Sequence, residues 1–159
     1  MRRAAVWLAG LAACYPATTR PDIVPVPGAE QVELELTVPQ ATRALAVALD
    51  GDSIPVARTE PDDGWLETPW FDIATLRPTS HRAVGLDVVK VRAFVDPGRP
   101  NHSVIHVETV YRPRLDPSDL ERELEQQVPR GHPVAARVKA VLDSLGKEYG
   151  DPAPAPPES

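Results

Sequence analysis

Four histidines, His81, His102, His106 and His132, are the side chains here best suited to hold a metal or move a proton near neutral pH. Only His102 and His106 stand close together in sequence. If Ser103 to Arg112 is a strand, the two share a face but sit about 13 Å apart at ~3.3 Å per residue, too far to share one ion with bonds of ~2 Å. They read as surface or hairpin histidines. Glu60, Asp62, Asp63 and Glu67 offer carboxylates for acid/base work, yet acidic residues beside Pro61 and Gly64 are what a solvated turn looks like. Ser53, Ser80, Ser103, Ser118 and Ser144 lack a Gly-x-Ser-x-Gly elbow, and there is no Gly-rich phosphate loop or His-Glu-x-x-His helix. The residues therefore name no catalytic, metal or cofactor site, and the chain reads as a non-enzyme.

The elements that would position any site are legible from periodicity. Gln31 to Val38 alternates, with Val32, Leu34, Leu36 and Val38 on one side, as in a half-buried strand. Thr37 and Gln40 match a capping box around Pro39, and Ala41, Ala44, Leu45, Ala48 and Leu49 follow at helical spacing until Gly51. Ile54–Glu60 and Trp65–Asp72 read as a hairpin around Pro61-Asp62-Asp63-Gly64, with Pro69 forcing an edge or an irregularity. Asp87–Asp96 and Ser103–Arg112 are β-branched runs flanking Pro97-Gly98-Arg99-Pro100-Asn101, a second hairpin. Asp116-Pro117-Ser118 with Glu121 predicts a helix start, with Leu120, Leu124 and Val128 as a narrow stripe ended by Pro129. Its acidic stretch from Asp119 to Gln127 reads as a wet face. Pro133 opens a last helix that places Val134, Val138, Val141, Leu142 and Leu145 on one side. The sum is an α+β domain over residues 31–150, an antiparallel sheet of four to five strands with helices packed on one face.

The lone cysteine excludes an intramolecular disulfide and a Cys-rich zinc site. It lies at position 14, after Arg2, Arg3 and an apolar run from Ala4 to Leu11 that is too short to cross a membrane. Residues 1–13 thus read as a cleaved signal. Leu11-Ala12-Ala13-Cys14 resembles the lipobox of bacterial lipoproteins, and that resemblance implies that Cys14 becomes the first mature residue and carries acyl chains such as palmitate. An ordinary signal cleaved nearby, with an incidental cysteine, is the alternative. Tyr15 rather than Asp after the cysteine implies, by the same resemblance, an outer-membrane anchor facing the periplasm. Residues 14–30 carry Pro16, Pro21, Pro25 and Pro27 and read as a tether that spans roughly 50 Å at ~3.1 Å per residue. Residues 151–159 read as a disordered Pro/Ala tail.

Without Arg2 and Arg3, 15 basic side chains face 23 acidic ones, a formal charge of −8. No Lys/Arg cluster is present, so nucleic acid is not an expected partner. Asn101-His102-Ser103 fits a glycosylation sequon, which in a bacterial chain is chance. The most distinctive stretch is Gly64-Trp65-Leu66-Glu67-Thr68-Pro69-Trp70, in which Leu66, Thr68 and Trp70 stand at alternating positions on one strand face. With the strand and Ala-rich helix before it and the long hairpin and helix after it, this pattern resembles the helix-grip domains of BamC (NlpB)-like lipoproteins. That resemblance implies an accessory role in outer-membrane protein assembly. The expected function is a non-catalytic, lipid-anchored binding or scaffold module that contacts an envelope protein through Trp65 or Trp70. A carrier holding a lipid or other apolar molecule between sheet and helices is the alternative.

Overall fold

The structure, a computed structural model, describes residues 18, 20–79, 84–120 and 122–150. Its elements in chain order are β1 (Glu30–Leu34), α1 (Val38–Gly51), β2 (Arg58–Glu60), β3 (Trp65–Glu67), β4 (Phe71–Asp72), β5 (Val88–Pro97), β6 (Ser103–Tyr111), β7 (Gln126–Gln127) and α2 (Pro133–Tyr149). The antiparallel sheet runs β1-β6-β5-β3-β2, with β4 continuing the β3 side of β5 and β7 continuing the β1 side of β6. The fold is α+β, as expected.

Both helices begin where their sequence signals lie. In α1 the Thr37 N–H and hydroxyl both donate to Gln40 Oε1, at 3.1 and 2.8 Å, which satisfies groups that a helix start would otherwise orphan. In α2, Pro133 occupies the first turn, and the five predicted side chains Val134, Val138, Val141, Leu142 and Leu145 are the buried ones. These helices cover one face of the sheet. There Leu45 and Leu49 of α1 and Val138 and Leu142 of α2 pack with Leu34, Leu66, Val91, Ala93, Val95, Ile105 and Val107. β1 is shorter than the alternation suggested, because after Leu34 the Glu35 N–H donates to Tyr149 O and the chain turns into α1.

Pro69 produces a defined irregularity. Glu67 pairs with Arg92 and Phe71 with Val89, so four steps on one strand oppose three on the other, and the chain carries one extra residue, a β-bulge. Thr68 holds the gap together: its N–H donates to Val91 O, and its hydroxyl accepts from Val91 N–H and donates to Pro69 O. The bulge resets the alternation. Leu66 and Phe71 point into the helix-covered core, while Trp70 turns to the opposite face, beside Lys90 and Arg112. The expected common face for Leu66 and Trp70 is corrected accordingly.

Two further expectations are corrected. Asp116–Pro129 is not a helix: its described residues form turns and then β7, with Leu120 exposed at 70% while Leu124 and Val128 are buried. The helical spacing there serves a loop that must deliver Glu125 to the sheet. Where a solvated tether was expected, Arg20–Ala29 lies against the sheet, with Arg20 paired to Asp96 and Val26 N–H to Glu108. Cys14 and residues 151–159 lie outside the described residues.

Gly64, at φ +62°, closes the β2–β3 turn so tightly that a Cβ would meet Val95 O at 2.1 Å, whereas Gly85, at φ +97°, has nothing within 4 Å. A left-handed non-glycine residue costs about 1–2 kcal/mol. Gly85→Ala is therefore expected to lose about that much in urea denaturation, and Gly64→Ala at least ~1 kcal/mol more, from the backbone clash. Equal losses would contradict the close approach at Gly64.

Candidate functional site

The face of the sheet away from the helices gathers charge. β5 and β6 place Lys90, Arg92, His106 and Glu108 on the side away from the helices, with Arg92 and Glu108 directly opposite each other. Arg92 Nη1 donates to Glu108 Oε1 at 3.0 Å and to Glu125 Oε2, and Nη2 donates to Glu125 Oε1 at 2.8 Å. Arg122 closes the cluster from above, donating to Glu108 Oε1 at 2.6 Å, to Glu108 Oε2 at 3.1 Å and to Glu125 Oε2 at 3.1 Å. Glu67 lies 3.6 Å from Lys90 and 3.8 Å from Arg92. The Arg112 guanidinium lies 4.4 Å from the Trp70 ring centroid and 3.9 Å from Glu125, a cation held by an aromatic face and a carboxylate together.

Glu108 is fully buried, and the side chains of Glu125 and Arg112 are each 2% exposed. Buried ions of this kind persist only when paired and hydrogen-bonded. Burial pushes the Glu125 carboxyl up, but the hydrogen bonds and charges of Arg92 and Arg122 outweigh it and hold it below the usual carboxylate range. A carboxylate held down in that way is a weak general base. Lys90 is shifted downward by burial and by the charge of Arg92, against the pull of Glu67. The chemistry of this cluster is structural: it ties β5, β6, the 112–125 loop and the N-terminal segment together.

The residues singled out in the sequence are dispersed. Glu60 pairs with Arg58, Asp62 and Asp63 stay in the β2–β3 turn, and only Glu67 reaches the cluster. His102 lies in the β5–β6 turn before the strand begins, its Nδ1 2.9 Å from Pro100 O, while His106 faces Phe94 across the ladder. His132 is buried at the start of α2, with Nε2 3.0 Å from Leu86 O. His81 lies outside the described residues. Among the described residues, no three His, Cys, Asp or Glu side chains come together to hold a metal.

Trp65 and Trp70, the expected contact residues, are both buried, at 0% and 3% exposure, so neither presents a surface to a partner. Trp65 packs edge-on against Phe94 with centroids 5.0 Å apart, under the Arg20 guanidinium that sits 5.3 Å from the Phe94 ring. The space between sheet and helices, where a carrier would hold its ligand, is filled by the packed core. An open cleft of about 500 Å³ lies elsewhere, between Gly28–Glu30, Gln127–Gly131 and the side of α2 at Ala135 and Lys139.

Arg92, Glu108, Arg112, Arg122 and Glu125 were not singled out in the sequence. A signal was present, since Arg92 and Glu108 each interrupt a β-branched run at matching positions of one hairpin, where a buried charge requires a buried counter-charge.

Besides Val24 and Val47, the exposed large apolar side chains lie on the loops that flank the β5–β6 hairpin. Val84 and Leu86 precede β5, and Leu115 and Leu120 follow β6, exposed at 42, 40, 47 and 70%. Gly85 N–H donates to Arg112 O at 2.8 Å and links the two loops. No helix among the described residues is long and apolar enough to cross a membrane.

In comparisons with known proteins, no family model matches the chain, and no curated protein shows significant similarity to it.

Because the fold lowers the Glu125 pKa, its contribution is present above the ordinary value of about 4.5 and is lost as pH falls through the depressed folded value. Glu125→Gln is thus expected to be less stable than the parent at pH 7, with the gap narrowing as the pH drops below about 4.5. Urea denaturation across that range reads it directly. A gap independent of pH would mean that the carboxylate charge is not what the arginines hold.

Proposed function

We propose that this protein is a non-catalytic, lipid-anchored cell-envelope protein, fastened through Cys14 to the outer membrane and facing the periplasm, that works as a binding or scaffold module for an envelope protein. The observation that carries the binding role is the set of apolar side chains Val84, Leu86, Leu115 and Leu120, presented to solvent on two linked loops that flank the β5–β6 hairpin. Isolated exposed apolar residues are ordinary, but several on adjoining loops suit a protein contact. The charged cluster supports the same reading, because its ions are spent on each other and hold the loops in shape. The anchor rests on the basic start, the short apolar run and Leu11-Ala12-Ala13-Cys14. The resemblance to BamC-like lipoproteins makes the machinery that assembles β-barrel proteins the first partner to examine.

Two acyl chains or more, at ~0.8 kcal/mol per buried methylene, hold a protein on a bilayer far more firmly than a single myristoyl chain. Cys14→Ser is therefore expected to move the protein from the membrane pellet to the soluble fraction. Crosslinking and pull-down from native membranes is expected to recover an envelope protein with the parent chain and to lose it with Leu115→Asp/Leu120→Asp, while the variant keeps its circular dichroism and its anchor. Equal recovery by both forms would place the contact elsewhere. Clean recovery of the parent protein alone would remove the scaffold role.

A further inference from the structure

We propose that residues 20–29 are a strap that holds the β5–β6 turn end of the domain against the bilayer and points the loop ends at Val84–Leu86 and Leu115 away from it. The proposal rests on the reading that Cys14 is acylated, and it concerns how the anchored domain is oriented.

The strap is fastened at three depths. Arg20 donates to both carboxylate oxygens of Asp96, at 2.8 and 3.3 Å, and its guanidinium lies over the Phe94 ring, 5.3 Å from the centroid. Further along, Arg122 Nη2 donates to Val24 O at 3.0 Å, and Val26 N–H donates to Glu108 Oε2 at 2.9 Å. A turn closed by Ala29 N–H to Val26 O then delivers the chain into β1. The inner two fastenings use members of the buried cluster, so the strap is part of the packed face. The outer one is an Arg–carboxylate fork over an aromatic ring, where the ion pair and the cation–π attraction act together.

The place of each fastening gives the strap a direction. Asp96 pairs with Val104 beside the 97–102 turn, whereas Glu108 lies four residues further along β6. Arg20, the N-terminal fastening of the strap, therefore lies beside the β5–β6 turn. Val84 and Leu86 precede Val88, Gly85 N–H is bonded to Arg112 O, and Leu115 lies three residues beyond Arg112, so those side chains belong to the other end of the same hairpin. The ten residues of β5 separate the two ends by about 30 Å.

Reach then sets orientation. From Cys14 to Glu30 is 16 residues, a free span of roughly 50 Å, but from Cys14 to Arg20 is only six, about 20 Å. A domain on the longer tether tumbles freely. One fastened at Arg20 keeps Asn101 near the headgroups and carries Leu115 farther out by the length of the sheet.

The test uses full-length acylated protein from membranes, reconstituted in vesicles of phosphatidylethanolamine and phosphatidylglycerol that contain a headgroup-labelled energy acceptor. A fluorophore is placed at Asn101→Cys or at Leu115→Cys, since the native thiol is blocked by its lipid. Severalfold stronger energy transfer from position 101 than from 115 is expected, and Arg20→Ala/Asp96→Asn is expected to lower transfer at 101 toward that at 115. Equal transfer at the two positions in the otherwise native protein would overturn the proposal. Val26 amide exchange in the same vesicles gives an independent reading: protection is expected, and exchange at the free-chain rate would overturn the strap even if the acyl anchor holds. An amino-terminal peptide without acyl mass, in a protein that does not float with the vesicles, would overturn the anchoring reading itself and the proposal with it.

Discussion

A guanidinium buried in the middle of a sheet costs several kcal/mol of desolvation unless carboxylates meet it with good geometry. Arg92 is met by Glu108 across the ladder and by Glu125 from the following loop. That requirement shapes the whole face. To bring Glu125 in, the chain after β6 must turn back and pair as β7, with Val128 N–H donating to Thr109 O, instead of winding into a helix. Glu108 then has oxygens to offer Arg122 and the Val26 amide, and those two contacts lay the N-terminal segment across the strands. The helix-covered face is ordinary apolar packing, while the opposite face is organised by ions.

This division explains which parts of the fold the sequence discloses. Local chemistry is legible: the Thr37–Gln40 cap, the turns at Gly64 and at 97–102, and the apolar stripe of α2 all stand where their residues placed them. What failed was decided at long range. Leu120, Leu124 and Val128 have helical spacing, but 14 residues separate Glu108 from Arg122 and 33 separate Arg92 from Glu125, and no local period reports such pairing. The proline-rich stretch from Arg20 to Pro27 looks soluble because its own side chains bury little; the bonds that hold it come from Asp96, Glu108 and Arg122. Trp70 was placed on the wrong face because one extra residue at Pro69 inverts the alternation, and a single strand read alone cannot show its partner's count.

The candidate site was legible to a lesser degree. Trp65 and Trp70 are distinctive in a chain with few aromatics, and their burial follows from the same scarcity: Trp65 packs edge-on against Phe94, and Trp70 carries Arg112. The exposed apolar residues that support a binding role sit in loops, where side chains have no periodic face to betray them. The ions of the charged face are spent on one another, which leaves the exposed apolar loop residues as the surface that the proposed binding role would use.

Coupling between Arg92 and Glu125 is the claim from which the loop, the strap and the face all follow. A double-mutant cycle measures it most directly, with Arg92→Met, Glu125→Leu and the pair compared by urea denaturation at neutral pH. Each single change strands a buried charge and is expected to cost about 3–5 kcal/mol, while the double variant loses far less than the sum. Additive losses, with no coupling energy between the two positions, would contradict it.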